Sequence, residues 1–568
     1  MHIKKELIYL MQILYENEIK SLLEYCLKKQ LLNKDLWKQF IDVFLLKSDS
    51  TDHGWRGEFF GKTLRGACSI YEVYPSKELY DTLEKAVLNF LDTQDKQGRF
   101  TSYKEEWKGW DMWGRKYVLS SLQAFYKICQ NESLKQNVLS ALRKHADYIM
   151  SCVGPDKIDI LDTSNDWGGL NSASIAETYL SLYKLTCDEK YLEFGKYIIL
   201  SGGCKQGNLV DIAKENKLYP HQYPVTKAYE MMSFFEAVLD YYEITGEKEY
   251  LEIFSNFIHK IRDSEITVIG CAGCTEELFD NSVVKQTEST ESFMQETCVT
   301  VTWMRLLDKF YKISKEEWCL DELEKSFVND ILGMINEQEN RGFSWFDKEY
   351  VEALPFDSYS PLYNSRRGIA IGGCRTLPNN THYGCCGAIA TSGIGAFIKN
   401  IIVKESERYV INYLLPCEIK DCANTIKVNN SYLTDDNITI DVLGKPVSMR
   451  IRLPKDSTVS INGEARVQSG KYLEINDFVG NIQIELHYQV EQIEINDKIC
   501  YKYGPMVLAQ DEHISPIYKV IKNVQSVECI EDANAFRHLR INDIDFVDYA
   551  HAGKVWDDKL ITVWSNTK

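Results

Sequence analysis

A weak repeat constrains this chain more than any other feature. The block Ser69-Ile70-Tyr71-Glu72-Val73 recurs as Ala124–Ile128, Ser181–Leu185, Asp240–Ile244 and Lys309–Ile313. The matched tyrosines, Tyr71, Tyr126, Tyr183, Tyr242 and Tyr311, stand 55, 57, 59 and 69 residues apart. Each block sits between helix-like segments. Two of them continue into a similar turn and second helix, Leu185–Phe194 and Ile244–Ile253. Such a period fits one helical hairpin plus a loop. A lone hairpin cannot bury its apolar face, so hairpins must stack or close into a ring. With a sixth inner helix expected near Ile389–Val403, the expected architecture is a closed toroid of six hairpins, an (α/α)6 barrel. An open solenoid is the alternative. Long, irregular loops between the helices favour closure with one functional rim.

The pattern changes after residue 405. Tyr409–Leu415, Ile438–Val442, Ser448–Leu453 and Ile482–Tyr488 read as short strands, and Asn462-Gly463 as a hairpin turn. Several short strands joined by polar turns predict a β-sandwich. The fold class is therefore multidomain, α then β: a helical barrel over 1–405, a sandwich over 406–500, and a β-rich segment over 501–568 packed with it.

Charge and composition exclude several function classes. The chain carries 65 Lys+Arg against 83 Asp+Glu, a net charge of -18, with no basic run. It repels phosphate backbones and anionic lipid, so no nucleic-acid partner is expected. No apolar stretch approaches the roughly 20 residues that span a bilayer, so no membrane partner is expected either. The start, Met1-His2-Ile3-Lys4-Lys5-Glu6, lacks the apolar core of a signal peptide, which predicts a cytoplasmic location. The 17 cysteines form no compact framework and read as reduced thiols, a few of them available as ligands or nucleophiles.

Three clusters can carry chemistry: Met294-Gln295-Glu296-Thr297-Cys298, Tyr383-Gly384-Cys385-Cys386-Gly387, and Ile269–Phe279 with Cys271, Cys274, Glu276 and Glu277. A carboxylate and thiolates gathered from separate loops can complete a tetrahedral metal site. Cys271 and Cys274 also have ligand spacing, so spacing alone leaves two competing sites, and buried structural cysteines remain the plain alternative. One of the paired glutamates can serve as a general acid.

On Glu296-Thr297-Cys298, Gly384-Cys385-Cys386, Glu277-Leu278-Phe279, Gly504-Pro505 with Val507-Leu508-Ala509, and the helical-to-strand order, the chain resembles the glycoside hydrolases of family 127. That family includes β-L-arabinofuranosidases, and the resemblance spans roughly residues 50–565. It implies Zn2+ held by Glu296, Cys298, Cys385 and Cys386. It also implies Cys385 as nucleophile and Glu277 as acid/base, with Glu276 as the fallback. The implied substrate is a small glycoside or oligosaccharide that loses its non-reducing-end sugar, by a retaining mechanism. Where arabinofuranosidases contact sugar with histidines, this chain has Lys116, Asn171 and Lys227, so the sugar is less constrained than the reaction. Trp113, Trp167 and Tyr229 are candidate sugar contacts, beside Trp107 and Trp110. His221, His382, Asp357–Tyr359 and Arg366-Arg367 lie near the motifs. Two other readings stand beside this one: another zinc-thiolate enzyme on a helical toroid, and a non-catalytic carbohydrate-binding or scaffold protein with a structural zinc. The sandwich also offers a surface for assembly into a homo-oligomer.

Overall fold

The computed structural model describes residues 12–567 except 289–293, 345–347, 353, 372, 407, 456, 467–470, 518–520 and 522. The segment Met1–Glu6, read above for targeting, lies outside the described residues. No helix among those described is long and apolar enough to cross a membrane.

Six inner helices form the barrel: Gly57–Val73, Asp111–Ile128, Ala176–Thr186, Ala228–Thr245, Thr297–Ser314 and Cys385–Ile398. Each packs on the next, and the sixth packs on the first, so the ring is closed. Between them run the outer helices, among them Lys77–Leu91, Glu132–Cys152, Glu189–Leu200 and Lys248–Ser264. Each outer helix returns the chain, so the inner helices run parallel and their N-termini share one rim.

The tyrosine repeat falls in the closing turns of the first five inner helices, just before each return turn. The sixth begins at Cys385, earlier than the expected Ile389. It is buried along its whole length and has no polar face, so periodicity cannot mark where it starts. Close helix packing explains one of the small residues. A Cβ on Gly61 would stand 2.3 Å from the Tyr117 carbonyl oxygen, so the first two inner helices meet only because that side chain is absent.

Two sheets make up the strand-rich part. In the first, Gln12–Tyr15 pairs with Cys417–Lys420, followed by Asn424–Asn429, Asn437–Arg452, Tyr472–Glu485, Thr458–Ile461 and Glu464–Arg466. The start of the described chain is thus tied into a sheet formed after the barrel. The second sheet orders Val490–Ile495, Lys498–Tyr503, Met506–Asp511, Ile544–Asp548, His538–Ile541 and Val527–Ile530. The Asn462-Gly463 turn has positive φ at both residues, 50° and 84°, and joins two antiparallel strands as its sequence predicts. Ile438–Val442 and Ser448–Leu453, read as separate strands, belong mainly to one, Asn437–Arg452. Its partner Tyr472–Glu485 is continuous, and register shifts between Val442 and Met449 absorb the local break in alternation.

Candidate active site

The rim over the inner-helix N-termini is built from four backbone segments stitched edge to edge. Lys227 bridges Leu278, Thr275 bridges Met294, and Glu296 bridges Tyr359. A short hairpin, Cys374–Thr376 with His382–Gly384, runs directly into the sixth inner helix. These contacts bring residues far apart in sequence to the mouth of the barrel.

Glu296 caps the fifth inner helix, and Cys298 lies in its first turn. Cys385 and Cys386 open the sixth. The two helices are neighbours in the ring, so their N-termini lie side by side on the rim, and their positive dipole ends favour anionic groups there. The Sγ atoms of Cys298 and Cys386 are 3.7 Å apart, and those of Cys385 and Cys386 are 3.9 Å apart. Glu296 Oε1 lies 3.3 Å from Cys386 Sγ and 3.7 Å from Cys385 Sγ. The four ligand atoms fall within 4.8 Å of one another and all four residues are buried, a group that can hold a metal ion. Glu296 Oε2 is buried without a hydrogen-bond partner, an unmet demand that a cation would satisfy.

The electrostatics of the four are unequal. Thiol hydrogen bonds from Cys298 and Cys386, together with the charges of Lys62 and Lys227, hold the Cys385 thiol well below the usual cysteine range despite its burial. Burial pushes Cys298, Cys386 and Glu296 the other way. Of the cluster, Cys385 is the sulfur prepared to carry negative charge.

Glu276 and Glu277 occupy the two central positions of a tight turn. Leu278 N donates to Thr275 O at 3.0 Å, and both glutamates have positive φ, 52° and 64°. Asn-Gly is the usual occupant of such a turn, so two glutamates there are strained. Neighbouring chain holds them: Ala228 N donates to Glu277 O at 2.9 Å, and the Lys227 ammonium bonds the Glu277 carboxylate. Burial opposes the charge of Lys227. The Glu277, Glu230 and Glu296 carboxylates nevertheless keep it protonated, above the ordinary lysine range.

A second buried pair forms the opposite wall. On the first inner helix, Lys62 Nζ donates to Glu58 Oε1 at 2.9 Å and lies 3.7 Å from Cys298 Sγ. Trp113 Nε1 donates to the other Glu58 oxygen. Lys62 also sits 4.6 Å from the centre of the Tyr229 ring. Burial pushes Glu58 up to about 7. Together these groups enclose a cavity of about 320 Å³ whose walls include Cys385, Glu277, Glu296, Lys227 and Trp113.

Of the residues singled out by sequence, Glu276, Trp110, Tyr229, Cys298 and Tyr359 also line this cavity. Cys386 completes the ligand group behind it. Lys116 is sealed under Trp113, its ammonium 4.6 Å from that ring, and burial lowers it to about 7. Asn171 is buried and donates to Ser164 Oγ and the Gly109 carbonyl. Neither residue is among the lining side chains. Trp167 stands outside on the rim, over Lys227. Cys274 Sγ accepts from Gln295 Nε2, and Cys271 Sγ packs against the Glu296 carbonyl, so both support the Glu296 segment from behind. His221 pairs with Glu265, and Arg367 ties the rim to the carbonyls of Tyr549 and Ala552. Sequence reasoning missed Glu58, Lys62, Glu230, Trp55 and Gly373. The Glu58–Lys62 spacing is four residues, which ordinarily marks a solvated helix face. Gly372-Gly373 before Cys374 was the one available hint of close backbone approach.

Residues 9–347 match the family model described as the β-L-arabinofuranosidase GH127 catalytic domain. Among solved structures, a GH127 β-L-arabinofuranosidase from Geobacillus stearothermophilus T6 aligns over 98% of this chain and 99% of its own, with a TM-score of 0.70 at 14% identity. A second GH127 β-arabinofuranosidase aligns over 99% of this chain and 97% of its own, with a TM-score of 0.72 at 14% identity. At such identity the likeness speaks for the fold. No curated protein matches the sequence.

Proposed function

Since the chain belongs to glycoside hydrolase family 127, we propose that it is a zinc-dependent retaining glycosidase in which Cys385 is the nucleophile and Glu277 the acid/base. The observation that carries this reading is the Glu296, Cys298, Cys385, Cys386 group opening onto the same cavity as Glu277. Zinc suits the donor set. Zn–S bonds of about 2.3 Å place tetrahedral thiolates about 3.8 Å apart. The two sulfur separations of 3.7 and 3.9 Å match that edge. When bound, the metal would neutralise the crowded thiolates and keep Cys385 ionised at neutral pH.

The chain's own groups account for the steps. Glu277, held by Lys227 and protonated from solvent before the step, delivers that proton to the oxygen of the leaving group as Cys385 Sγ attacks the anomeric carbon. The glycosidic C–O bond breaks and a thioglycosyl bond forms. Glu277, now a carboxylate, takes a proton from water as that water attacks the same carbon. The C–S bond breaks and the thiolate returns. Two displacements retain the anomeric configuration. Lys227, Trp113 and Tyr229 are positioned to hold the sugar, while Lys116 and Asn171 would act by supporting the wall from behind. The cavity volume suits one terminal sugar, which favours exo action. β-L-Arabinofuranosides are the first substrates to test.

The test is release of nitrophenol from a panel of nitrophenyl glycosides that includes the β-L-arabinofuranoside. Turnover by the zinc-loaded wild type, and its loss by at least a thousandfold in Cys385→Ser with the fold retained, supports the reading. Unfolding of Cys385→Ser, or undiminished turnover, refutes the assignment of Cys385. Glu277→Gln should lose activity most steeply on substrates with poor leaving groups.

A further inference from the structure

Trp167 is set apart from the tryptophans inside the cavity. It is 40% exposed, and it begins a run of three residues with left-handed backbone: Trp167, Gly168 and Gly169, at φ 50°, 64° and 87°. The glycines adopt that conformation freely, but a tryptophan does so only when its surroundings impose it. The loop is held from outside by Lys205 N, which donates to the Gly168 carbonyl at 2.9 Å. The result is an indole fixed at the rim instead of packed in the core.

What lies beneath the indole identifies its role. Lys227 Nζ is 5.3 Å from the ring centre, and the same ammonium bonds the Glu277 carboxylate. The adjoining Asp166 carboxyl interacts electrostatically with both Lys227 and His53. The loop thus lies within electrostatic reach of Lys227 and of His53, two residues before Trp55. In the mechanism above, Glu277 delivers its proton to the departing oxygen. Groups next to Glu277 on the outer side consequently meet the leaving group, while the cavity holds the sugar being transferred. We propose that Trp167 is the platform of a leaving-group subsite, favouring glycosides whose aglycone presents a flat apolar face, a sugar ring or an aryl group, over those with small alkyl aglycones. The proposal rests on the glycosidase reading. It assigns Lys227 two neighbours, the acid/base and the platform, so that stacking on the platform is sensed next to the proton donor.

The experiment compares benzyl and methyl β-L-arabinofuranosides, which leave as alcohols of similar intrinsic reactivity. The benzyl-over-methyl ratio of kcat/KM is measured for wild type, Trp167→Ala and Trp167→Phe. A stacked ring contributes enough to predict about a tenfold fall in that ratio for Trp167→Ala, carried mainly by KM. Trp167→Phe keeps a flat face and should recover most of it. An unchanged ratio in Trp167→Ala, whether both substrates slow alike or neither does, overturns the subsite. If the nitrophenyl panel identifies another sugar, the benzyl and methyl glycosides of that sugar are used; failure of the wild type on every sugar of the panel overturns the glycosidase reading, and the subsite falls with it.

Discussion

Gly373→Ala should displace Cys385, the proposed nucleophile, with little damage to the fold. Gly373 has φ +58°, and a Cβ built there would lie 2.0 Å from Cys385 Sγ. Its carbonyl accepts from Cys385 N and from Trp55 Nε1, so the backbone has little freedom to withdraw. Non-bonded heavy atoms settle at about 3.5 Å or more, so the sulfur must retreat by roughly 1.5 Å. A misplacement of about 1 Å at a reacting atom can cost on the order of a hundredfold in rate. The backbone adds about 1–2 kcal/mol of strain, since a non-glycine residue must enter the left-handed region. Gly463→Ala is the matched control. That glycine has φ +84°, with nothing within 4 Å of an added Cβ, so it incurs the strain without touching the site. Steady-state kinetics on an active glycoside and thermal melts for both variants decide the matter. The expected result is similar melting shifts and a kcat/KM loss of about a hundredfold in Gly373→Ala alone. If Gly373→Ala loses no more activity than Gly463→Ala, the steric argument is wrong.

Two further outcomes follow from the same geometry. Cys386 Sγ touches Glu296 and both partner sulfurs, so Cys386→Ser should weaken zinc binding by more than the 10–100-fold typical of losing an outer partner; competition with a chromogenic chelator measures this without reference to activity. Burial pushes Glu230 up to about 7, so between about 4.3, where an unfolded glutamate titrates, and about 7 the folded chain binds the extra proton. The stability linked to this group is fully present below that window and is lost as pH rises through it. Urea midpoints of the metal-free protein should fall across the window, and Glu230→Gln should flatten the slope.

How much of this was legible in the sequence differs from element to element. The barrel was legible because the tyrosine blocks mark the same turn five times over. The ligand group was legible only through the family resemblance that Glu-Thr-Cys and Cys-Cys carry; spacing alone left Cys271 and Cys274 as a competing pair. The Glu58–Lys62 pair was not, since a glutamate and lysine four apart look solvated until the ring closes and buries the helix on every side. Lys116 and Lys227 look alike in sequence, yet one is sealed beneath Trp113 and the other opens onto the cavity. Position along the chain separates them: Lys116 lies inside the helix Asp111–Ile128, while Lys227 is the extended residue that precedes Ala228–Thr245 on the rim. The strain at Glu276 and Glu277 was hidden for a different reason. A tight turn is ordinarily announced by Asn and Gly, and here tertiary bridges hold it in place of favourable turn residues.

Ring closure also has a consequence for synthesis. The first inner helix starts at Gly57, but its last neighbour ends at Ile398, and Tyr15 waits for Cys417. At roughly 5–20 residues per second, about 20–80 seconds of translation separate the two paired strands. Through that interval the nascent barrel has an open seam and an unpaired strand, both attractive to other chains. Cys385, the proposed nucleophile, lies on the helix that seals the seam, so the site comes into being only as the barrel stops being vulnerable. Truncations before Cys385 should accordingly be both inert and sticky, and the need for chaperones should be greatest just before that helix emerges.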